Sequence, residues 1–307
     1  MRPSGIGGQA VIEGVMMKNK SEYATAVRRP DQEIEIKKDT YVSLSEKYKI
    51  FKLPIFRGIL AFVESMMIGM KTLTFSSSFY EEDTEPSKFE KAVQKLFGEK
   101  AERVISSIVM MISIVLAIGI FIVLPTFISQ KLGMVISSHT VQAIIEGVIR
   151  IIIFILYLLA VSQMEDIKRT FMYHGAEHKT INCIEHGYEL TVENVKKQSK
   201  QHKRCGTSFI FVVLFVSIIF FIFIRIDVLW LKACVRILLV PVIAGVSYEF
   251  IRLAGKTDNM LINLLSKPGL LMQNLTTKEP TDDMIEVAIA SVEAVFDWKA
   301  FIDRKDD

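Results

Sequence analysis

Long apolar runs alternate with charged stretches along this chain, and the run lengths carry the first expectation. An α-helix rising ~1.5 Å per residue needs roughly 20 apolar residues to cross a hydrocarbon core ~30 Å thick. Four stretches qualify. They run from about Val104 to Ile128, without charge; from about Gln142 to Gln163, holding Glu146 and Arg150; from Thr207 to about Ile226, rich in Phe and Ile; and from about Lys232 to Ile251, with Arg236 near its start and Pro241 inside. Helices are expected, because in lipid each segment must satisfy its own backbone groups. A fifth apolar stretch, Pro54 to Phe75, contains Arg57, Glu64 and Lys71, and its apolar residues keep helical spacing. It reads as a helix lying in the membrane interface, with a packed helix of a cytosolic domain or a re-entrant hairpin as alternatives.

The polar parts are smaller. Tyr23 to Val27, a turn containing Pro30, and the alternating run Glu33 to Lys38 predict two strands, so the N-terminal piece is β-rich. Ser76 to Ser87 reads as a linker before an amphipathic lead-in to the first span. Thr281 is placed to cap a helix that begins Asp282-Asp283 and runs to about Phe296, with Ile285, Val287, Ala288, Ile289, Val292 and Val295 on its apolar face. The expected architecture is mainly α, a polytopic membrane protein with four transmembrane helices. It divides into a β-rich piece (1–53), interfacial helices and linker (54–103), a four-span domain (104–252) interrupted by a histidine-rich loop (164–206), and a helical tail (253–307).

Charge placement suggests an orientation. Lys196, Lys197, Lys200, Lys203 and Arg204 cluster before the third span, and Lys88, Lys91, Lys95, Lys100 and Arg103 before the first. The link from Ser129 to Val141 holds only Lys131. By the positive-inside tendency, the N-terminus, the central loop and the tail face the cytosol of a cell inner (plasma) membrane. Met1 to Met17 lacks the pattern of a secretory signal, which agrees with that orientation.

Composition supports this reading. Of 307 residues, 50% are hydrophobic and only 23% charged, and mean hydropathy is +0.35, which argues against a soluble globule or a disordered chain. A net charge of +3 is too small to imply a nucleic-acid partner. Three cysteines, Cys183, Cys205 and Cys234, cannot build a multi-bridge framework, and cytosolic thiols stay reduced.

The clearest chemical signal is His174-Gly175-Ala176-Glu177-His178. On a helix the two imidazoles share a face one turn apart, with Glu177 beside them. That is the arrangement of inverted zinc hydrolases, in which two histidines hold the metal and the carboxylate takes a proton from water. Four of the five histidines fall between His174 and His202, and a catalytic zinc needs a third protein ligand. His186, Glu185, His202 and Cys205 are all candidates, and spacing does not choose among them. The bland alternative is solvated, hydrogen-bonding histidines, and Gly175 costs a helix interior ~1 kcal/mol. If the second span continues as a helix, His174 lies ~16 Å beyond its end, within reach of a membrane-associated substrate.

Other features are less pointed. The glycine-dense stretch Gly5 to Gly14 is neither a Walker loop nor a dinucleotide fingerprint and reads as a tight turn, with Gln9 and Glu13 as distant candidates for the polar site. Glu146 and Arg150 should pair inside the bilayer, while Arg236 is expected to snorkel to the outer interface. Spans one and three offer few polar groups, so a transport route is poorly supported. The segment from Pro268 to Pro280 reads as a packing turn.

Five strings together resemble the YqhQ family: GGQAVIEGVMM near the start, FRG at Phe56 to Gly58, YHGAEHK at Tyr173 to Lys179, RCGTSF at Arg204 to Phe209, and PGLLMQNLTTKEP near the end. This is a bacterial membrane family with plastid relatives and a domain of unknown function. The resemblance implies a metal-dependent enzyme at residues like His174, Glu177 and His178, and a neighbourhood of translation-factor genes implies a role in biogenesis. The combined expectation is a hydrolase at the cytosolic membrane surface. His174, His178, His186 and Cys205 are its candidate ligands for a divalent metal such as zinc, and Glu177 is its base. The alternative is a non-enzymatic scaffold or biogenesis factor that docks the ribosome or translocon through the basic run Lys196 to Arg204.

Overall fold

The structure is a computed structural model, described over residues 3–80, 87–132, 138–226, 228–255 and 259–303. The chain is mostly helical with one small N-terminal antiparallel sheet. Strands β1 (Gly7–Val11), β2 (Gly14–Asn19), β3 (Glu22–Arg28) and β4 (Ile34–Thr40) form a meander in sequence order. Helices follow as α1 (Leu44–Lys47), α2 (Phe56–Ser77), α3 (Lys88–Phe97), α4 (Ala101–Ile118), α5 (Leu124–Leu132), α6 (His139–Val161) and α7 (Glu165–Glu185). The remainder are α8 (Val192–Lys196), α9 (Gly206–Ile222), α10 (Leu229–Ala254), α11 (Met260–Thr276), α12 (Asp282–Glu293) and α13 (Trp298–Asp303). The expected linker over 76–87 lies for the most part outside the described residues.

Strands β3 and β4 occupy the two runs that alternation predicts. The glycine-dense stretch, read as a tight turn in a small β domain, forms the β1–β2 hairpin, with Gly7 paired to Lys18 and Val11 to Gly14. Gly14 serves close approach, since a Cβ there would meet the Ala26 carbonyl. Val15, Met17, Ala24 and Ala26 pack with Tyr173, Ile181 and Ile184 of α7 and with Ile285 and Val292 of α12. On the other face, Met16 and Tyr23 pack on Ile68 of α2. Both faces are covered, so β3 is buried without a break from Tyr23 to Val27. Thr281 stands at the N-cap of α12 as expected, but its hydroxyl makes no cap bond; Asp282 and Asp283 occupy the first turn, where negative charge is favoured.

Four helical stretches are long and apolar enough to cross a membrane: Phe56–Ser77 with 22 residues, Val104–Leu132 with 29, His139–Val161 with 23 and Leu229–Ala254 with 26. This set differs from the sequence expectation in two places. The stretch read as interfacial is one unbroken helix of spanning length. The third expected span is helical only over Gly206–Ile222, 17 residues, at the lower limit of spanning length.

Contacts divide the chain into two compact units. One comprises Met1–Tyr80, Tyr157–Val216 and Val240–Asp307; the other comprises Glu81–Leu156 and Ser217–Leu239. Within the first, Arg57 of α2 pairs with Glu249 of α10, where Gly58 and Gly245 let the two backbones approach closely. Within the second, Glu146 and Arg150 pair at 3.1 Å, one helical turn apart. Pro125 has no N–H to offer the Phe121 carbonyl one turn earlier, and Arg150 Nε donates to that oxygen at 2.9 Å. Arg236 corrects the snorkelling expectation: it is fully buried and bonded to Glu146 and to the Thr126 hydroxyl. A carboxylate on the neighbouring helix pairs with the guanidinium through Nη1, which offsets the cost of keeping that charge inside the bundle.

Candidate metal centre

Helix α7 carries the histidine motif. It starts afresh after a break at 162–164, so α6 does not run through as one helix. Glu165 and Asp166 in its first turn complement the helix dipole. Its second half is unusual: Glu177, His178, Lys179, Thr180, Asn182 and Glu185 are all buried. A buried run of polar groups must find partners, and here most of them do. Lys179 binds the Lys196 carbonyl and Glu279, and Asn182 donates to the Ser199 and Gln201 carbonyls. Glu13, at a positive φ of 48° in the β1–β2 turn, grips Arg169 at 2.5 and 2.6 Å and accepts from the Tyr173 hydroxyl at 3.3 Å. That contact ties the hairpin to α7 but puts Glu13 outside the wall of the histidine cavity.

The two motif histidines are oriented alike. His174 Nδ1 lies 2.8 Å from the Thr276 carbonyl, and His178 Nδ1 lies 2.6 Å from the Lys200 carbonyl. A carbonyl only accepts, so each Nδ1 carries a proton, and Nε2 is the nitrogen each ring has left for a ligand. Cys205, the residue before α9, brings Sγ to 3.3 Å from His174 Nε2 and accepts from the Thr207 N–H at 3.3 Å. The ligand atoms of His174, His178 and Cys205 all lie within 4.8 Å of one another. Donors sharing one tetrahedral zinc at ~2.0–2.3 Å sit roughly 3.3–3.8 Å apart. The His174–Cys205 pair is already at that spacing, and His178 has a ring nitrogen within 4.8 Å of both.

Close approach makes this geometry. A Cβ on Gly175 would strike the Lys278 carbonyl, so only glycine lets the segment after α11 lie against α7. There the Lys278 N–H donates to the Phe171 carbonyl at 2.9 Å, and Thr276 presents its carbonyl to His174. The helix-propensity cost of Gly175 is thereby accounted for. A Cβ on Gly8 would come within 2.7 Å of Glu177. Gly8 and Gln9 therefore form the near wall of a cavity of about 800 Å³ lined by His174, Glu177, His178 and Cys205. Gly8 and the Thr276 and Lys200 carbonyls have no chemical signature in the sequence; only the glycine density hints at the first.

Glu177 is buried in this wall, and burial pushes its carboxyl up to about 7, against the opposing pull of His174. The remaining candidates fall elsewhere. His186 caps the end of α7, its Nδ1 2.7 Å from the Asn182 carbonyl, and stands outside the convergent trio. Burial alone would raise the Glu185 carboxyl, but His202, Ser4 and the Arg204 guanidinium together hold it down at about 2. Glu185 is thus engaged by Arg204 and by both the N–H and the hydroxyl of Ser4. His202 lines the cavity with its ring centroid 5.7 Å from that of His178, and Gln273 clamps its backbone from both sides. Burial lowers its pKa, against the pull of Glu185.

The family model described as Protein of unknown function (DUF1385) matches residues 53–298. The Bacillus subtilis (strain 168) protein named Uncharacterized protein YqhQ is 37% identical over 295 residues, covering 94% of this chain and 91% of the relative. No solved structure matches. The trio, its orienting carbonyls and Glu177 all lie inside the matched region, and the chain belongs to the YqhQ family, DUF1385.

Proposed function

We propose that this protein is a metal-dependent hydrolase of the inner membrane, working from the cytosolic surface on a membrane-associated substrate. One observation carries the reading: two imidazoles and one thiol converge in a cavity whose wall also holds a buried carboxylate. Two histidines and a cysteine are borderline-soft donors that suit zinc, and three protein ligands leave a coordination position open, as catalytic sites require. A bound divalent ion supplies Lewis-acid activation of water at neutral pH. The chain supplies the rest. His174 and His178 would hold the ion through the ring nitrogens opposite the Thr276 and Lys200 carbonyls, which fix the rings, and Cys205 would be the third ligand. Glu177 takes the proton from the attacking water and returns it to the leaving group. Gly8 and Gln9 close one side of the cavity. The apolar wall residues Ile6, Ile181 and Ile210 suit a substrate with a hydrocarbon part.

The basic run supports the cytosolic orientation through the positive-inside tendency. Its side chains are also engaged within the chain: Lys196 with Asp282, Lys197 with Glu193, Lys200 with Glu279 and Arg204 with Glu185. That favours the enzyme over a scaffold that docks a partner through this run.

The test uses full-length protein in detergent, loaded with zinc and incubated with lipid extract from cells lacking it, with products read by mass spectrometry. Wild type is expected to generate a product that Glu177→Gln does not, while that variant keeps its metal. Equal product from both, or none from zinc-loaded wild type, contradicts the proposal.

A further inference from the structure

Among the described residues of the second unit, buried cations outnumber buried carboxylates. Glu146 is its single buried carboxylate among the described residues, and three cations surround it: Arg150 at 3.1 Å, Lys232 at 4.0 Å, and Arg236 in direct contact. Arg150 is otherwise spent on the Phe121 carbonyl and on the Ser217 hydroxyl at 2.9 Å. Arg236 is not. Its Nη1 serves Glu146 and Thr126, but Nε and Nη2 are buried and have no acceptor, and Glu146 Oε2 has no donor at hydrogen-bond distance. Nε and Nη2 form the side-on edge of a guanidinium, the pair that grips a carboxylate or phosphate through two parallel bonds.

Arg236 is part of the wall of a cavity of about 480 Å³, together with Lys232, Lys131 and His139. The apolar wall comprises Phe127, Ala143, Phe221, Ile224, Ile226 and Leu229. The cavity lies where α5 ends and α6 begins, and where α9 ends and α10 begins. Helix ends of a spanning bundle lie at headgroup depth. The Arg236 guanidinium lies over the Phe221 ring with two N–H groups still lacking an acceptor, which is expensive at the apolar edge of a membrane domain, and the cavity beside it has room for an anion.

We infer that this cavity binds a phosphate-bearing anion, with Arg236 gripping the phosphoryl oxygens and Lys131 and His139 at the rim. Two sources share that chemistry, the headgroup of an anionic lipid and free phosphate. The apolar wall beside the cations favours the lipid.

Delipidated full-length protein in detergent, melted with short-chain phosphatidylglycerol, with a diacylglycerol of equal chain length, and with inorganic phosphate, tests the inference. Phosphatidylglycerol is expected to raise Tm by several degrees and diacylglycerol by much less. A rise with inorganic phosphate alone, equal to that of the lipid, assigns the free ion instead. Arg236→Gln should weaken the response at least tenfold in ligand concentration. Should that variant fail to fold, Lys131→Gln/His139→Gln, at two exposed rim positions, should weaken it severalfold. No Tm response to either phosphate compound, an equal response to diacylglycerol, or an unchanged response in the variants overturns the inference.

Discussion

The trio on α7 and α9 and the charged cluster around Glu146 both bury polar chemistry, yet they are built on opposite principles. Around His174 the chain assembles electron-pair donors, two imidazoles and a thiol, and spends backbone carbonyls to turn their lone pairs inward. Around Glu146 it assembles proton donors, two guanidiniums and an ammonium, against one carboxylate. On the proposed readings the first arrangement takes a cation and the second an anion, and the sign of each ligand follows from which kind of group is in excess.

Removing Glu146 should produce the largest effect. Glu146→Gln leaves Arg150, Arg236 and Lys232 without their shared counter-charge, and breaking a buried ion pair costs ~3–5 kcal/mol. Denaturant unfolding in detergent measures it; a loss below ~1 kcal/mol would mean that the cluster is hydrated and the contrast with the α7 site false.

Next comes Glu185, the tightly held carboxylate of the first unit. Its folded pKa of about 2 lies below the ordinary carboxylate value of 4.5, so the folded state releases its proton more readily than the unfolded state. The sign follows: its contribution is full above about 4.5 and drains away as pH falls toward about 2. A shift of that size corresponds to about 3 kcal/mol. Stability measured from pH 6 to pH 2 should fall less steeply in Glu185→Gln than in wild type, and parallel curves would remove Glu185 from the account.

Gly175→Ala separates packing from ligation. The added methyl meets the Lys278 carbonyl, which is backbone and cannot swing aside, so overpacking should cost ~1–3 kcal/mol despite the gain in helix propensity. Metal affinity should fall with it, because the displaced segment carries the acceptor for His174. A stable variant with unchanged metal binding would show that the Thr276 contact is dispensable.

The smallest effect is expected for Lys196→Ala. Its ion pair with Asp282 is exposed on both sides, and such pairs are worth ~0.2–1 kcal/mol. A loss of cellular function without a loss of stability would instead favour a docking role for the basic run.

Parts of this were readable in the sequence for identifiable reasons. The apolar runs announced helices because length and hydropathy are local properties, and His174-x-x-Glu177-His178 announced a shared face because helical spacing is local too. The strands of the β1–β2 hairpin were hidden, since Gly8 answers to a distant surface, Glu177, that no window of sequence contains. The choice of Cys205 over His186 depended on where α9 begins relative to α7. Arg236 misled because hydropathy places a charge by depth, whereas its partner on α6 decides its position.

Metal content of purified full-length wild type, measured by elemental mass spectrometry beside His174→Ala/His178→Ala and Cys205→Ser, tests the central claim most directly. About one divalent ion per chain in wild type, near none in the double variant and a clear reduction in Cys205→Ser is the expected result. A wild type that holds no metal after exposure to zinc, or a double variant that holds as much as wild type, would contradict it.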